Sequence, residues 1–336
     1  MLPTRIPLPR LFKRQPRAAV VIGALVGVLA VLVVLGWVTG AAAVTPLSSC
    51  GTTIAAPGSF MLTGNLSSLA GTCITVAADG VTIDLNGFVI NDTGTSTYGI
   101  ADNGVSHKSI VVRNGTIRGF NLGIYLISST SVLVDHMILT KNNYGVNVGA
   151  HSTVTNSTIH DNTSASLLLG DYSSLTDSMI SNNGDGVNGG NHVTVARVTV
   201  AQNGSVDSSA IALGDYASVQ NSVVQNNTNI EIAAILTGNF SNISFNRVLH
   251  NAFTWGIVVG THSTVKGNVV NDNGDFGIIA SLSSSLSQNI AIDNNGGYGI
   301  YVYCPSTVKY NTAFGSSTSN LFENGSGCTS VHNNAP

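Results

Sequence analysis

The sequence predicts an all-β solenoid of parallel strands, and two features of its spacing carry the prediction. A column of apolar residues recurs every 20 to 24 positions, at Val154, Leu175, Val195, Val219, Ile243, Val265, Leu286 and Val308. A second apolar column lies eight positions before it and a third lies five positions after it, as in Val146, Val154 and Ile159. A period of about 22 residues is too long for a hairpin and too short for a crossover with its own helix. Each segment is therefore expected to pair in parallel with its copy one coil away, with the apolar columns pointing inward.

An asparagine column gives a third observation. It lies eight residues after the first apolar column and comprises Asn142, Asn162, Asn183, Asn203, Asn227, Asn251, Asn273 and Asn294. Asparagine tolerates the left-handed backbone of a sharp bend, and its amide can donate to one coil while it accepts from the next. The column therefore predicts an asparagine ladder at a bend between strands.

The repeat, its Gly-Ile-x-Val phrase and the asparagine column resemble the right-handed parallel β-helix proteins of the pectin-lyase-like class. The resemblance covers roughly residues 50 to 330 and implies a single-stranded right-handed parallel β-helix of about a dozen coils. That class includes polysaccharide lyases, hydrolases, uronate epimerases, phage tailspikes and non-catalytic surface proteins. The resemblance is therefore specific for fold and not for function.

The N-terminal segment predicts export. Residues 1–17 carry five basic residues and no acid, and residues 18–38 form an uncharged run long enough to span a bilayer. Ala41-Ala42-Ala43 offers a cleavage site, so a cleaved signal peptide and a retained transmembrane anchor both remain open. In either case the solenoid is secreted or membrane-anchored outside the cytoplasm.

The predicted domains are a leader over 1–43 and a β-helix over 44–336, with entry coils at 50–90, regular coils at 99–311 and a cap at 312–336. Five of the 13 basic residues lie in the leader, whereas all 16 acids lie beyond it. The exported part is therefore acidic, which argues against a nucleic-acid partner.

Four cysteines lie in the exported part, at positions 50, 73, 304 and 328. The members of each pair are separated by one coil length, so Cys50 and Cys73 are expected side by side on adjacent coils, as are Cys304 and Cys328. This spacing predicts two disulfides, one at each end of the solenoid.

Rings and hydroxyl groups predict a polysaccharide surface. The ring column lies three residues before the first apolar column and comprises His151, Tyr172, His192, Tyr216, Phe240 and His262, with Asp171 beside it. The resemblance implies that the sheet of the first apolar column carries a polysaccharide groove. Sugar faces can pack on rings, so His151, Asp171, Tyr172, Tyr216 and His262 are predicted to bind substrate. The alternative is that the rings stack only to stabilise the bends.

A catalytic site needs a base and a cation. A uronate lyase or epimerase must neutralise a carboxylate and abstract the proton at C5. The best grouping for this chemistry is His192 with Arg197 and Asp177. Arg113 is interpreted as a solvated outward residue, and Asp135-His136 as an isolated surface pair.

Two functions remain open from the sequence. The preferred hypothesis is a non-catalytic scaffold that binds an envelope polysaccharide or serves as a surface structural element. The alternative is a lyase or epimerase acting on a uronic-acid glycan. No cofactor is predicted, although adjacent carboxylates such as Asp272 and Asp293 offer oxygen ligands of the kind that calcium takes.

Overall fold

The computed structural model describes residues 43–204, 209–228, 232–251 and 255–336. The predicted leader and its apolar run lie outside these residues. Within the described ranges, no helix has the length and apolar character that a membrane crossing requires. These ranges form a right-handed parallel β-solenoid of about 12 turns, as the sequence predicts.

The strands are short because each coil bends three times. The entry strands are β1 (Val44–Leu47), β2 (Thr52–Ile54), β3 (Gly58–Leu62), β4 (Leu66–Val76), β5 (Val81–Asp84), β6 (Val89–Asp102), β7 (Val111–Arg118), β8 (Leu122–Leu126) and β9 (Leu133–Thr140). The later strands fall into three parallel stacks, which we call faces 1, 2 and 3 in the order in which the chain visits them.

Face 1 contains β10 (Tyr144–Val148), β13 (Leu167–Leu169), β16 (Val187–Gly189), β19 (Ile211–Leu213), β22 (Ala233–Thr237), β25 (Trp255–Val259), β28 (Ile278–Ala280), β31 (Tyr298–Tyr303) and β34 (Ser319–Asn324). Face 2 contains β11 (Thr153–Thr155), β14 (Ser174–Thr176), β17 (Thr194–Ala196), β20 (Ser218–Gln220), β23 (Asn242–Ser244), β26 (Thr264–Lys266), β29 (Ser285–Ser287), β32 (Thr307–Lys309) and β35 (Thr329–Val331). Face 3 contains β12 (Thr158–His160), β15 (Met179–Ser181), β18 (Thr199–Ala201), β21 (Val223–Gln225), β24 (Arg247–Leu249), β27 (Val269–Asn271), β30 (Ile290–Ile292) and β33 (Thr312–Phe314).

Each strand pairs in parallel with the equivalent strands of adjacent coils. On face 2, for example, Val154 pairs with Leu175, and Leu175 pairs with Val195. This register places the predicted apolar columns in a continuous interior. The central residue of every face 2 strand from Val154 to Val308 is fully buried, which confirms the inward assignment of the first column.

The asparagine ladder is confirmed at the bend between faces 3 and 1, which we call corner 3. Asn142 donates its backbone N–H to Oδ1 of Asn162 at 3.0 Å, and its side-chain amide donates to the same oxygen at 3.2 Å. The pattern continues coil by coil as far as Asn294. Every side-chain amide of the ladder therefore has partners within the buried interior.

Two further interior ladders occupy the other bends. At corner 2, between faces 2 and 3, a second asparagine ladder begins at Asn246 and runs through Asn268, Asn289, Asn311 and Asn333. Serines hold the same place in earlier coils, as at Ser157 and Ser178. At corner 1, between faces 1 and 2, serine hydroxyl groups accept backbone N–H groups from the preceding coil, as Ser173 does from Ser152.

The left-handed backbone does not belong to the ladder asparagines, and in this respect the sequence prediction was wrong. The residue just before each ladder position has the positive φ, as at Asp161 (φ 55°) before Asn162. The same order holds at corner 1, where Tyr172 (φ 58°) precedes Ser173. A residue with positive φ turns the chain, and the next side chain then points inward.

Both predicted disulfides are present, one near each end of the solenoid. Cys50 bonds to Cys73, and Cys304 bonds to Cys328. Each bond joins adjacent coils at the position that the spacing predicts.

Candidate functional site

The outward side of face 2 is lined by hydroxyl and amide groups. Its first outward column comprises Thr153, Ser174, Thr194, Ser218, Asn242, Thr264, Ser285 and Thr307. The Oγ1 of Thr153 and the Oγ of Ser174 are 3.1 Å apart, and the hydroxyl oxygens of Thr155 and Thr176 in the parallel column are 2.9 Å apart. The face therefore presents regular rows of groups that both donate and accept hydrogen bonds.

The ring column forms one continuous stack along corner 1. Its ring centroids are 5.1, 4.4, 4.6, 5.0 and 5.0 Å apart from His151 to His262, and neighbouring planes differ by no more than 17°. The structure thus brings together the predicted residues His151, Tyr172, Tyr216 and His262. Each inner ring has a neighbouring ring on both faces, so only ring edges remain for a ligand. The geometry favours the alternative in which the rings stabilise the bend, because a sugar cannot lie flat on an inner ring.

A row of carboxylate and amide groups borders the stack, and their oxygens accept hydrogen bonds from the backbone of the next coil. Asp171 Oδ1 accepts the backbone N–H of Asn191 at 2.7 Å, and Asn191 Oδ1 accepts that of Asp215 at 2.8 Å. Asp215 and Asn239 continue the row. Glycine precedes these positions because a Cβ at Gly214 would lie 2.3 Å from the oxygen of Asn191. Asp171, predicted to bind substrate, therefore already uses one carboxylate oxygen to join coils.

Strand β17 lies between two of the predicted catalytic residues, His192 and Arg197, and Asp177 lies on the side of Arg197. Arg197 donates from Nε and Nη2 to the two carboxylate oxygens of Asp177, both at 2.7 Å. This hydrogen bonding holds the pKa of Asp177 below its usual value and raises that of Arg197. His192 lies beyond the other end of β17, between the rings of Tyr172 and Tyr216. The structure joins the cation to the carboxylate and leaves His192 apart from both.

Asp135 and His136, interpreted from the sequence as an isolated surface pair, contact further residues. His136 Nδ1 lies 2.7 Å from Asp135 Oδ1, and the amide of Asn156 donates to the same oxygen at 2.9 Å. Arg113 is in register with Asp135 and pairs with Asp84 at 2.9 Å. The signal was present in the sequence, since Arg113 and Asp135 are one coil apart.

The environment of Asp135 favours its charged form. Partial burial acts to raise its pKa, but the hydrogen bonds from Asn156 and His136 and the nearby charges of His136 and Arg113 outweigh burial. The pKa of Asp135 is therefore below its ordinary value. When His136 is neutral and donates from Nδ1 to this carboxylate, Nε2 is the ring nitrogen that accepts a proton.

The carboxylates proposed for calcium lie at corner 3. Asp272 Oδ2 lies 2.8 Å from His250 Nδ1, and its Oδ1 accepts a hydrogen bond from Asn295 at 3.0 Å. Asp293 occupies the same column one coil further on. Among the described residues, the one group of three ligand atoms close enough to share a metal comes from Cys304, Glu323 and Cys328, and its sulfurs form a disulfide. Calcium binding at Asp272 and Asp293 stays a prediction.

Comparison with solved structures defines the fold. The A-module of the mannuronan C-5 epimerase AlgE4 from Azotobacter vinelandii is similar over 86% of this chain and 88% of its own, with a TM-score of 0.56 and 15% identity. The Dettilon tailspike protein is similar over 79% of this chain and 62% of its own, with a TM-score of 0.53 and 14% identity. The chain shares the parallel β-helix fold of these structures. No family model and no curated protein matches the sequence of this β-helix.

Proposed function

We propose that this β-helix binds polysaccharide along face 2. The observation that carries the proposal is the pair of outward hydroxyl and amide columns, which repeat at about 4.8 Å along the solenoid axis. Sugars present hydroxyl groups that both donate and accept, so a row of such groups suits an extended glycan. The phenol groups of Tyr172 and Tyr216 contribute polar ring edges along the adjacent corner. The partner is a glycan of the cell envelope or its surroundings.

Export of the protein is part of this proposal. Two disulfides form readily in an oxidising compartment and rarely in the cytosol. The predicted leader would carry the solenoid across a membrane and either release it or anchor it. Fractionation of cells that express the full chain tests this, since protein confined to the cytoplasm with four free thiols would contradict it.

The binding experiment compares isosteric changes on two faces. Thr194→Val with Thr264→Val removes two hydroxyl groups from face 2, whereas Thr158→Val with Thr199→Val removes two from the equivalent positions of face 3. We expect the first pair to weaken glycan binding measured by calorimetry or on a glycan array, and the second pair to leave it unchanged. Equal effects of both pairs, or no binding to any glycan, would overturn the proposal.

The ring edges are tested separately. Tyr172→Phe with Tyr216→Phe keeps the stack and removes only the two phenol groups, so weaker binding by this variant would place the glycan against corner 1. Unchanged binding would limit the surface to the hydroxyl columns.

The second candidate is a uronate epimerase or lyase, which the fold shared with a mannuronan C-5 epimerase favours over a non-catalytic scaffold. His136 supports it, because Asp135 orients the ring and leaves Nε2 to take the C5 proton. Arg113 is the adjacent cation, and a substrate carboxylate would have to displace Asp84 from it. Return of a proton to the opposite face of C5 gives the epimer, whereas loss of the glycosidic oxygen gives the unsaturated lyase product.

Incubation with alginate and pectate separates the two candidates. Nuclear magnetic resonance detects epimers, and ultraviolet absorbance detects unsaturated products. His136→Asn and His192→Asn are matched variants, because asparagine tolerates the positive φ at both positions. Loss of turnover in His136→Asn alone would establish a site at Asp135 and His136. Loss of turnover in His192→Asn alone would support the site predicted from the sequence. Binding without turnover leaves polysaccharide binding as the function.

A further inference from the structure

Charges in the C-terminal coils are segregated by face. Arg247 lies at the start of β24 beside corner 2, and Lys266 and Lys309 lie on the second outward column of face 2. Arg247 and Lys266 are exposed, and Lys309 is half-buried. In the described part of the chain, none of the three is within ion-pair distance of an acid.

Two other arginines of the described chain have acidic partners. Arg113 is paired with Asp84, and Arg197 with Asp177, both in earlier coils. From residue 242 onward, the described acids are Asp272, Asp275, Asp293 and Glu323, and none of them lies on a face 2 strand. The positive charges on this end of face 2 therefore remain available to an external anion.

The two lysines have a defined spacing. Lys266 pairs in register with Ser287, and Ser287 pairs with Lys309, so the lysines are two coils apart in one column. At about 4.8 Å per coil, their backbones are about 10 Å apart along the axis. The hydroxyl groups of Thr264, Ser285 and Thr307 form the parallel column.

We infer that this end of face 2 binds a linear anionic glycan, with Lys266 and Lys309 contacting negative groups on alternate sugars. The inference rests on the proposed function and specifies its ligand and its location. A chain lying along the axis would place its hydroxyl groups against the threonine and serine column and its charged groups against the lysines. Arg247 lies beside the same surface and adds to its positive potential. Because the exported chain is acidic overall, attraction depends on these local cations and weakens as salt screens them.

The experiment uses one glycan backbone in two charge states. Pectate carries free carboxylates, whereas fully methyl-esterified pectin has the same backbone without them. We expect the protein to bind pectate more tightly, with an affinity that falls as salt is raised. Lys266→Gln with Lys309→Gln should reduce pectate affinity about two- to thirtyfold, the range given by losing two surface charge contacts. The same variant should bind the ester as the unchanged protein does.

The matched control removes two cations from other places on the solenoid, Lys108→Gln with Lys141→Gln. Equal loss of pectate binding in the control would show a response to net charge alone and would overturn the inference. A second result would overturn the inference and leave the proposed function intact. In it, the protein binds pectate and the ester equally well, and Lys266→Gln with Lys309→Gln changes neither affinity. Binding of neither polymer, and of no other glycan, would overturn the proposed function and the inference together.

Discussion

At the scale of single residues, each bend uses a pair of adjacent residues with different tasks. The first adopts a positive φ between 48° and 61° in the described non-glycine positions of the three corners. The second points its side chain inward, as a serine or asparagine in most coils and as an apolar residue such as Val193 or Val198 in others. Positive φ costs roughly 1 to 2 kcal/mol for a residue with a Cβ. The inward serine or asparagine offsets that cost by bonding the backbone of the neighbouring coil.

Asn227 shows how much one ladder residue supports. Its Oδ1 accepts the backbone N–H and the side-chain amide of Asn203, while its own amide donates to Val200 O and to Asn251 Oδ1. We expect Asn227→Leu to lower the free energy of unfolding by about 1 to 3 kcal/mol, because buried polar groups on both adjacent coils lose partners. Thermal and urea unfolding measure the effect.

The control for this prediction is Asn226→Gly, at the exposed neighbour with a φ of 54° that glycine tolerates. We expect little change for the control. If Asn227→Leu unfolds at the same temperature and urea concentration as the unchanged protein, the ladder does not stabilise the coils as described.

Asp135 gives a prediction for pH dependence. Its folded pKa is lowered, so its contribution to stability is present above its ordinary value of 3.8 and is lost as the pH falls through the folded pKa. Asn156→Gly removes one hydrogen bond to the carboxylate and should raise the pKa of Asp135 toward 3.8. Carbon nuclear magnetic resonance follows this titration. Asn221→Gly, at the equivalent corner position three coils away, should leave it unchanged, and a shift in both variants would contradict the assignment.

At the scale of elements, the ring stack offsets the strain of its own bend. Histidine, tyrosine and phenylalanine at positive φ are uncommon, yet six of them follow one another at corner 1. Each ring contacts the ring one coil away, and such pairs contribute about 0.5 to 1.5 kcal/mol beyond their buried area. The column is thus a stabilising element that also presents polar edges beside face 2.

Tyr216→Asn tests the stabilising role of the stack. Asparagine tolerates the φ of 57°, so the loss comes mainly from two stacking contacts, with His192 and Phe240. We expect a loss of about 1 to 3 kcal/mol in chemical unfolding. Tyr216→Phe keeps both contacts and should unfold with the unchanged protein. Equal stability of the asparagine variant would mean that the rings lie beside one another without stabilising the bend.

The site was less predictable than the faces that form it. The positions of Tyr172 and Tyr216 followed from the repeat, but the stacking distance depends on side-chain rotamers that no spacing specifies. Asp177 and Arg197 are separated by about one coil length in the sequence, as Arg113 and Asp135 are, so the spacing alone places each pair on adjacent coils. His192 was grouped with Arg197 because the two are close in sequence, although a strand between two bends separates them.

At the scale of the whole molecule, the fold could be predicted because the repeat determines almost every contact. The apolar columns that contain Val154 and Val146 each predicted the inward residues of one face. The column of Asn162 predicted the ladder at corner 3. The ladder at corner 2 was missed because serine and asparagine share the position, as at Ser222 and Asn246, which hides the pattern from a search for one residue type.

The disulfides act at the ends of the solenoid, where strands have a neighbour on one side only. Each closes a loop of 23 or 24 residues, for which a contribution of about 2 to 4 kcal/mol is expected. Reduction should lower the unfolding midpoint, and intact mass after alkylation should show two modified thiols for each bond reduced. Cys50→Ser with Cys73→Ser, compared with Cys304→Ser with Cys328→Ser, assigns the loss to each end. No change in either variant would mean that the terminal coils are held by pairing alone.

The parallel register has a consequence for how the chain folds. Nearly every strand partner lies 20 to 30 residues away along the chain, and adding coils would not lengthen that separation. The entropy lost on closing each coil is therefore the same in the middle of the chain as near its ends. Folding can begin wherever two coils first dock and then spread in both directions, so the rate should depend weakly on the number of coils.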